Sequence, residues 1–168
     1  DKSEEMKDEF YHMLEDAYNS APENDVKLIM GDFNAKIGKE QIYMDTIGKH
    51  SLHEQTSENG ERLIDFATSK NMIISSTCYI HPDIHKQTWV SPDGQTINKI
   101  DHILIDRRHG TNILDVRSKR GAHCGSDHYL VRVKYRARIK CQKQGKGKRQ
   151  DKINIQKLKD ETTLNKYK

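Results

Sequence analysis

Apolar residues recur at helical spacing near the start of the chain, at Met6, Phe10, Met13, Leu14 and Ala17, with acidic residues crowding the first turns. This spacing predicts an amphipathic helix over residues 3–19, which Pro22 ends. The next apolar run, residues 26–30, is short, follows a polar turn and stops at Gly31, the pattern of a buried central strand. Residues 38–58 are polar with little periodicity and predict a long surface loop. Asn59 can cap a second helix whose apolar face is Leu63, Ile64, Phe66 and Ala67, followed by a strand over residues 72–77.

From Gln87 the texture changes to short β segments. Residues 87–91, a Pro92-Asp93-Gly94 turn and residues 97–105 read as a hairpin. A strand is expected over residues 113–117. Around residues 129–136, Tyr129, Val131, Val133 and Tyr135 alternate with Leu130, Arg132, Lys134 and Arg136, a period of two that marks a half-buried strand with a basic outer face. Helices alternating with strands, and no internal repeat, predict a layered α/β domain.

Charge changes this picture at the C-terminal end. The nominal +4 hides an asymmetry: residues 140–168 hold 10 Lys/Arg against 3 Asp/Glu, leaving 19 against 22 in residues 1–139. One domain over residues 1–139 is expected, then a basic linker over 140–168 in which Ile153, Leu158 and Leu164 supply too little apolar surface for more than a short helix. An acidic body that handles a polyanion needs a cation or local basic patches. Cys78, Cys124 and Cys141 are odd in number and widely spaced, which fits a reducing compartment, cytoplasm or nucleus, better than a disulfide framework. No apolar run approaches a membrane span. The start, Asp1-Lys2-Ser3-Glu4-Glu5, reads as internal to a longer chain.

Three short constellations carry candidate chemistry. Gly31-Asp32-Phe33-Asn34 follows a strand and sets a carboxylate and an amide two residues apart, able to position a water and a phosphate oxygen, although Gly, Asp and Asn also suit a plain strand exit. Ser126-Asp127-His128 puts ionisable groups at the mouth of the last strand, where the bland alternative is a surface pair. Asp101 interrupts the apolar run Ile100-Asp101-His102-Ile103-Leu104-Ile105, so it requires an imidazole or a cation beside it unless it faces solvent on an edge strand. Three carboxylate-bearing strand ends, distant in sequence, are how one site forms at the edge of a layered sheet.

In that order and at these separations, the three motifs resemble those of the endonuclease/exonuclease/phosphatase family. Thr88-Trp89 with Ser91-Pro92-Asp93-Gly94, and Asn59-Gly60-Glu61-Arg62-Leu63 after Ala35-Lys36-Ile37-Gly38, are similar to the endonuclease domains of non-LTR retrotransposons. The resemblance covers about residues 6–138. It implies a four-layer α/β sandwich, two mixed β-sheets flanked by helices and incomplete at the N-terminus. It also implies a Mg²⁺-dependent, or Mn²⁺-dependent, hydrolase that nicks DNA by water attack on a phosphodiester. Asp32 would orient or activate the water, with Asn34 holding Asp32 and a phosphate oxygen. Asp101 would fix His128, which contacts the non-bridging oxygen. Thr88 would bind the backbone phosphate, and Asp127 would lie on the metal side.

The family also uses an Asn, a metal-binding Glu and a Tyr from segments that would precede Asp1, so this fragment alone is expected to be inactive. A reverse transcriptase is expected in the parent polypeptide after the segment ending at Lys168. A phosphatase or sphingomyelinase of the same family, and a non-catalytic nucleic-acid or protein-binding remnant, are the competing readings. His81, His85 and Cys78 make a poor zinc pattern because Pro82 interrupts any helix there, and His123-Cys124 is no better. Trp89 is expected to pack at the core or rim, while Arg107, Arg108 and Arg117 to Arg120 read as solvated charges that can also meet phosphates.

Overall fold

The first helix, α1 (Glu4–Ser20), starts where Ser3 accepts a hydrogen bond from the Met6 amide (3.5 Å), satisfying one of the amides left over at a helix N-terminus. In this computed structural model, which describes residues 2–121, 125–137 and 165, the helix packs through Tyr11, Leu14 and Tyr18. The stripe that touches the core is thus displaced from the expected one: Met6, Phe10 and Met13 are 49%, 45% and 65% exposed. Two phenols explain the difference. Tyr11 Oη donates to Asn59 O (3.2 Å) and Tyr18 Oη to Lys70 O (3.2 Å) and Asp106 (3.1 Å), so these rings bury apolar area while their hydroxyls stay satisfied.

Among the described residues seven strands follow: β1 (Leu28–Asp32), β2 (Met72–Ile74), β3 (Trp89–Val90), β4 (Ile97–Asn98), β5 (Asp101–Asp106), β6 (Ile113–Lys119) and β7 (Leu130–Tyr135). Between β1 and β2 lies α2 (Glu58–Ser69). All strand pairs are antiparallel, in a three-stranded sheet ordered β1-β5-β2 and two ribbons, β3-β4 and β6-β7. The architecture is mixed α/β. Expectation and structure part at β1, which is an edge strand of its sheet among the described residues, not a central one, with Met30 59% exposed. The continuous apolar run cannot tell one buried face from two.

Three boundaries also move. Ser57, not Asn59, caps α2, accepting from the Gly60 amide (3.2 Å), while the expected face of Leu63, Ile64, Phe66 and Ala67 is buried. The expected strand over 72–77 ends at Ile74 and tightens into a 3-10 turn, Ser75–Thr77. The segment 97–105 splits, because β4 closes the short hairpin with β3 while β5 leaves to centre the main sheet. Residues 38–58 are largely irregular, as expected of a loop, but are pinned at points to the core: Ile47 and Ser51 are buried, with Ile37 just ahead of them also buried, and Ile47 bridges Ile74, while Ile42 is 83% exposed. Some of their polar groups are satisfied internally; Glu40, for instance, accepts from Thr56 N (2.5 Å) and Thr56 Oγ1 (2.8 Å).

The core gathers between α2 and the sheet, with Ala35, Ile37, Leu63, Met72, Ile74 and Leu104 fully buried, and residues Asp1–Ala137 form one compact unit. The expected basic linker over 140–168 lies outside the described residues apart from Asn165, as do Cys124 and Cys141. No helix among the described residues is long and apolar enough to cross a membrane.

Among the described residues Lys99, His102 and Asp106 are buried ionisable side chains, and the first two lack a counter-charge. His102, on β5, is held neutral by burial, its pKa pushed down to about 3. Its Nε2 faces Ala35 O (2.8 Å) and must donate there, which leaves Nδ1 to accept from Ser76 Oγ (2.7 Å). The imidazole thereby ties the chain just after β1 to β5. Lys99 is 5% exposed; its Nζ donates to Ser76 O, and burial pulls the amine down to about 7 from an ordinary 10.5. An unfolded chain binds this proton up to pH 10.5 and the folded one only to about 7, so stability rises with pH across that window. Lys99→Met should therefore stabilise the protein at pH 6 by roughly 1–3 kcal/mol, with part of the gain offset by leaving Ser76 O unpaired, and should flatten the rise. Urea unfolding across pH checks this; an unchanged pH profile would contradict it.

Candidate functional site

The β1-β5 register sets Asp32 directly opposite Asp101 at the end of the sheet. Two carboxylates facing each other across a pair of strands repel, and the site resolves this with an imidazole. His128 Nδ1 lies 3.2 Å from Asp101 Oδ2, and its Nε2 lies 3.9 Å from Asp32 Oδ2. All three side chains are partly open to solvent, at 38% for Asp32, 20% for Asp101 and 30% for His128. Burial raises the pKa of Asp101, while a Thr88 hydrogen bond and the neighbouring His128 pull it back.

Asn34 is held in the left-handed region (φ 48°), where Asn is the side-chain residue that enters most readily. Its backbone N–H, rather than its side-chain amide, donates to Asp32 Oδ1 (2.8 Å), which fixes the carboxylate facing His128. Asn59, at the start of α2, completes the turn by donating from Nδ2 to Phe33 O (2.6 Å) and Asn34 O (3.3 Å). Its Oδ1 is buried without a partner among the described residues. Asn59 was read from sequence as a helix cap; in the structure it braces the Asp32-Asn34 turn.

His128 is carried into place by a backbone seam. Val90 N donates to Asp127 O (3.1 Å) and Tyr129 N to Thr88 O (2.8 Å), so residues 127–129 add to β3 like a short third strand. Thr88 itself is 2% exposed, and its Oγ1 accepts from Ile100 N (3.0 Å) and Asp101 N (3.2 Å). Here its hydroxyl positions Asp101. Trp89 goes beyond the packing role expected of it, donating from Nε1 to Asp127 Oδ2 (2.8 Å). That hydrogen bond is the main reason the exposed Asp127 carboxyl sits below its usual pKa.

Of the residues singled out in the sequence, Asp32, Asn34, Asp101 and His128 are therefore linked side by side. Thr88 touches them from beneath, and Asp127 is adjacent through the chain but turned to Trp89. A cleft of 340 Å³ opens on Asp101 and His128, and another of 810 Å³ on Asp32 and Asn34. As for a metal, Asp32 and Asp127 offer the hard oxygens that Mg²⁺ accepts. Among the described residues, however, no group of three or more His, Cys, Asp or Glu comes together to hold an ion. The described donors by themselves do not make a complete site.

No family model matches the chain. It is homologous to Craniofacial development protein 2 of Tragulus javanicus and of Bos taurus, with 37% identity over 131 residues in each case. The match covers 78% of this chain and 22% of each relative, so the chain spans less than a quarter of the length of the curated relatives it matches.

Removing the indole donor should release Asp127. In Trp89→Phe its carboxyl should titrate higher, closer to the ordinary value, as read by carboxyl-detected NMR; an unmoved titration would show that the Trp89 contact does not hold the group.

Proposed function

We propose that this homologue of Craniofacial development protein 2 carries the C-terminal half of a phosphodiesterase site of the endonuclease/exonuclease/phosphatase type, acting on DNA. The observation that carries the reading is the imidazole of His128 set between two carboxylates from neighbouring strands, at a sheet end that opens on two clefts. Acid-base chemistry needs proton-accepting and proton-donating groups in reach of one substrate, which an imidazole between two carboxylates beside a cleft supplies.

In this reading Asp32, steadied by the Asn34 backbone N–H, orients the attacking water and accepts its proton as the new bond to phosphorus forms. His128, fixed by Asp101, donates a hydrogen bond to a non-bridging oxygen whose charge grows, and the leaving oxygen takes a proton from solvent. Thr88 acts by holding Asp101, and Asn34 by lying beside the phosphate. A divalent cation, Mg²⁺ or Mn²⁺, would neutralise phosphate charge. Asp32 and Asp127 would be its carboxylate candidates in this chain, and further oxygens would have to come from outside the described residues. The full four-layer sandwich belongs to the same proposal, with the open edges of β1 and β7 as the places where further strands would add.

The incomplete donor set favours a second reading, a non-catalytic binding remnant. Both are tested by nicking of supercoiled plasmid in Mg²⁺, comparing this chain with a longer protein that supplies the upstream segment this reading calls for. The longer protein should nick and this chain should not, with Asp32→Ala and His128→Ala each lowering the rate roughly 10²- to 10⁴-fold. Should the longer protein bind DNA without nicking it, the remnant reading replaces the catalytic one.

A further inference from the structure

The basic outer face anticipated for β7 takes no part in the chemistry above, and the structure shows what it is paired with. Residues 1–112 hold 12 Lys/Arg against 20 Asp/Glu, whereas residues 113–136 hold six against two. Positive charge in the described body is therefore concentrated in β6, β7 and their flanks, against an acidic remainder. Register sharpens this: Arg117 faces Arg132, Asp115 faces Lys134 and Lys119 faces Leu130. The inner face of the ribbon is apolar, with Val116, Val131 and Val133 packed around Ile103, Ile105 and Ile113. Alternation sends Arg117, Lys119, Arg132 and Lys134 to the outer face.

One acid serves that face. Asp115 takes His81 (2.6 Å), Arg117 (3.0 Å) and Arg132 (3.4 Å), and these three donors hold its carboxyl below the ordinary pKa range despite partial burial. Lys119 and Lys134 make no ion pair among the described residues. Asp115 sets one negative charge against the facing pair Arg117 and Arg132, so with Lys119 and Lys134 the face keeps a net positive charge that an external anion can meet.

We infer that the outer face of the β6-β7 ribbon is a nucleic-acid backbone contact, in which Arg117, Lys119, Arg132 and Lys134 meet successive phosphates. Spacing favours a polyanion over a single ligand. Cations on alternate residues of one strand stand roughly 6.8 Å apart, twice the strand rise, and a six-residue strand runs about 20 Å. A duplex carries a phosphate every roughly 3.4 Å of axis per strand, so such a face meets several at once. An anionic membrane fits less well, since interfacial binding needs a cluster of apolar groups to insert and the exposed ones on these strands among the described residues are the scattered Leu114, Leu130 and Tyr135. The contact is separate from hydrolysis and holds whether or not the site described above cleaves anything.

The test uses the full chain in EDTA, so that hydrolysis does not enter, with fluorescein-labelled 20-base-pair DNA and RNA duplexes and anisotropy measured across salt concentrations. Lys119→Gln with Lys134→Gln removes two cations that make no ion pair among the described residues, and Lys39→Gln with Lys49→Gln is the charge-matched control on another part of the surface. The ribbon pair should make the slope of log K against log salt shallower by roughly 1.8 on DNA, about 0.9 per lost phosphate contact, while the control pair leaves it unchanged. A change on both duplexes, or on one, supports the contact and names its source. Equal slopes for the ribbon pair and the parent, an equal loss from the control pair, or tighter binding to phosphatidylserine vesicles than to either duplex would overturn it. None of those results bears on the nicking assay, which reads Asp32 and His128 instead.

Discussion

A pair of carboxylates forced together by strand register is the constraint around which the rest of the site is arranged. Asp32 and Asp101 face each other because β1 and β5 pair as they do, and that register is set farther along the sheet by the apolar contacts of Ile29, Ile103, Leu104 and Ile105. Left alone, the two charges would oppose the pairing. The imidazole of His128 answers both, and nearly every local hydrogen bond described above either delivers that ring or fixes one of its neighbours.

Delivery depends on main-chain geometry more than on side-chain attraction. Residues 127–129 are stitched to β3, so His128 arrives as part of an added strand, and the Thr88 hydroxyl anchors the start of β5 from the buried side. Beneath them His102 and Ser76 connect β5 to the chain leaving β1, so the turn that presents Asp32 and Asn34 is tied to the strand that presents Asp101. The buried Lys99 amine adds a destabilising element within a few residues of this layer, a cost the surrounding core must offset.

What could be read in the sequence follows from which signals are local. Both helices and the apolar face of α2 were legible because periodicity is short-range, although the α2 cap lies at Ser57 and not at Asn59, and Asp32, Asn34, Asp101 and His128 stood out because each lies in or beside a strand with a group that needs a partner. The edge position of β1 was hidden, since strand order is a property of pairing between distant segments. The points at which residues 38–58 are pinned to the core were hidden for a different reason: polar side chains that bond to one another and to buried carbonyls, such as Ser51 to Ile37 O, look in sequence like those that bond to water. Asn59 and Trp89 carried no distinctive signal, because a cap and a packing aromatic use the same residue types as a turn brace and an indole donor.

Whether His128 is energetically joined to its carboxylate partner can be measured without any substrate. A double-mutant cycle of Asp101→Asn and His128→Gln, read by urea unfolding at neutral pH, should give a coupling of roughly 0.5–3 kcal/mol, as for residues in direct contact. Additivity to within about 0.3–0.5 kcal/mol would mean that the two side chains do not act together, and the arrangement proposed for this sheet end would be wrong.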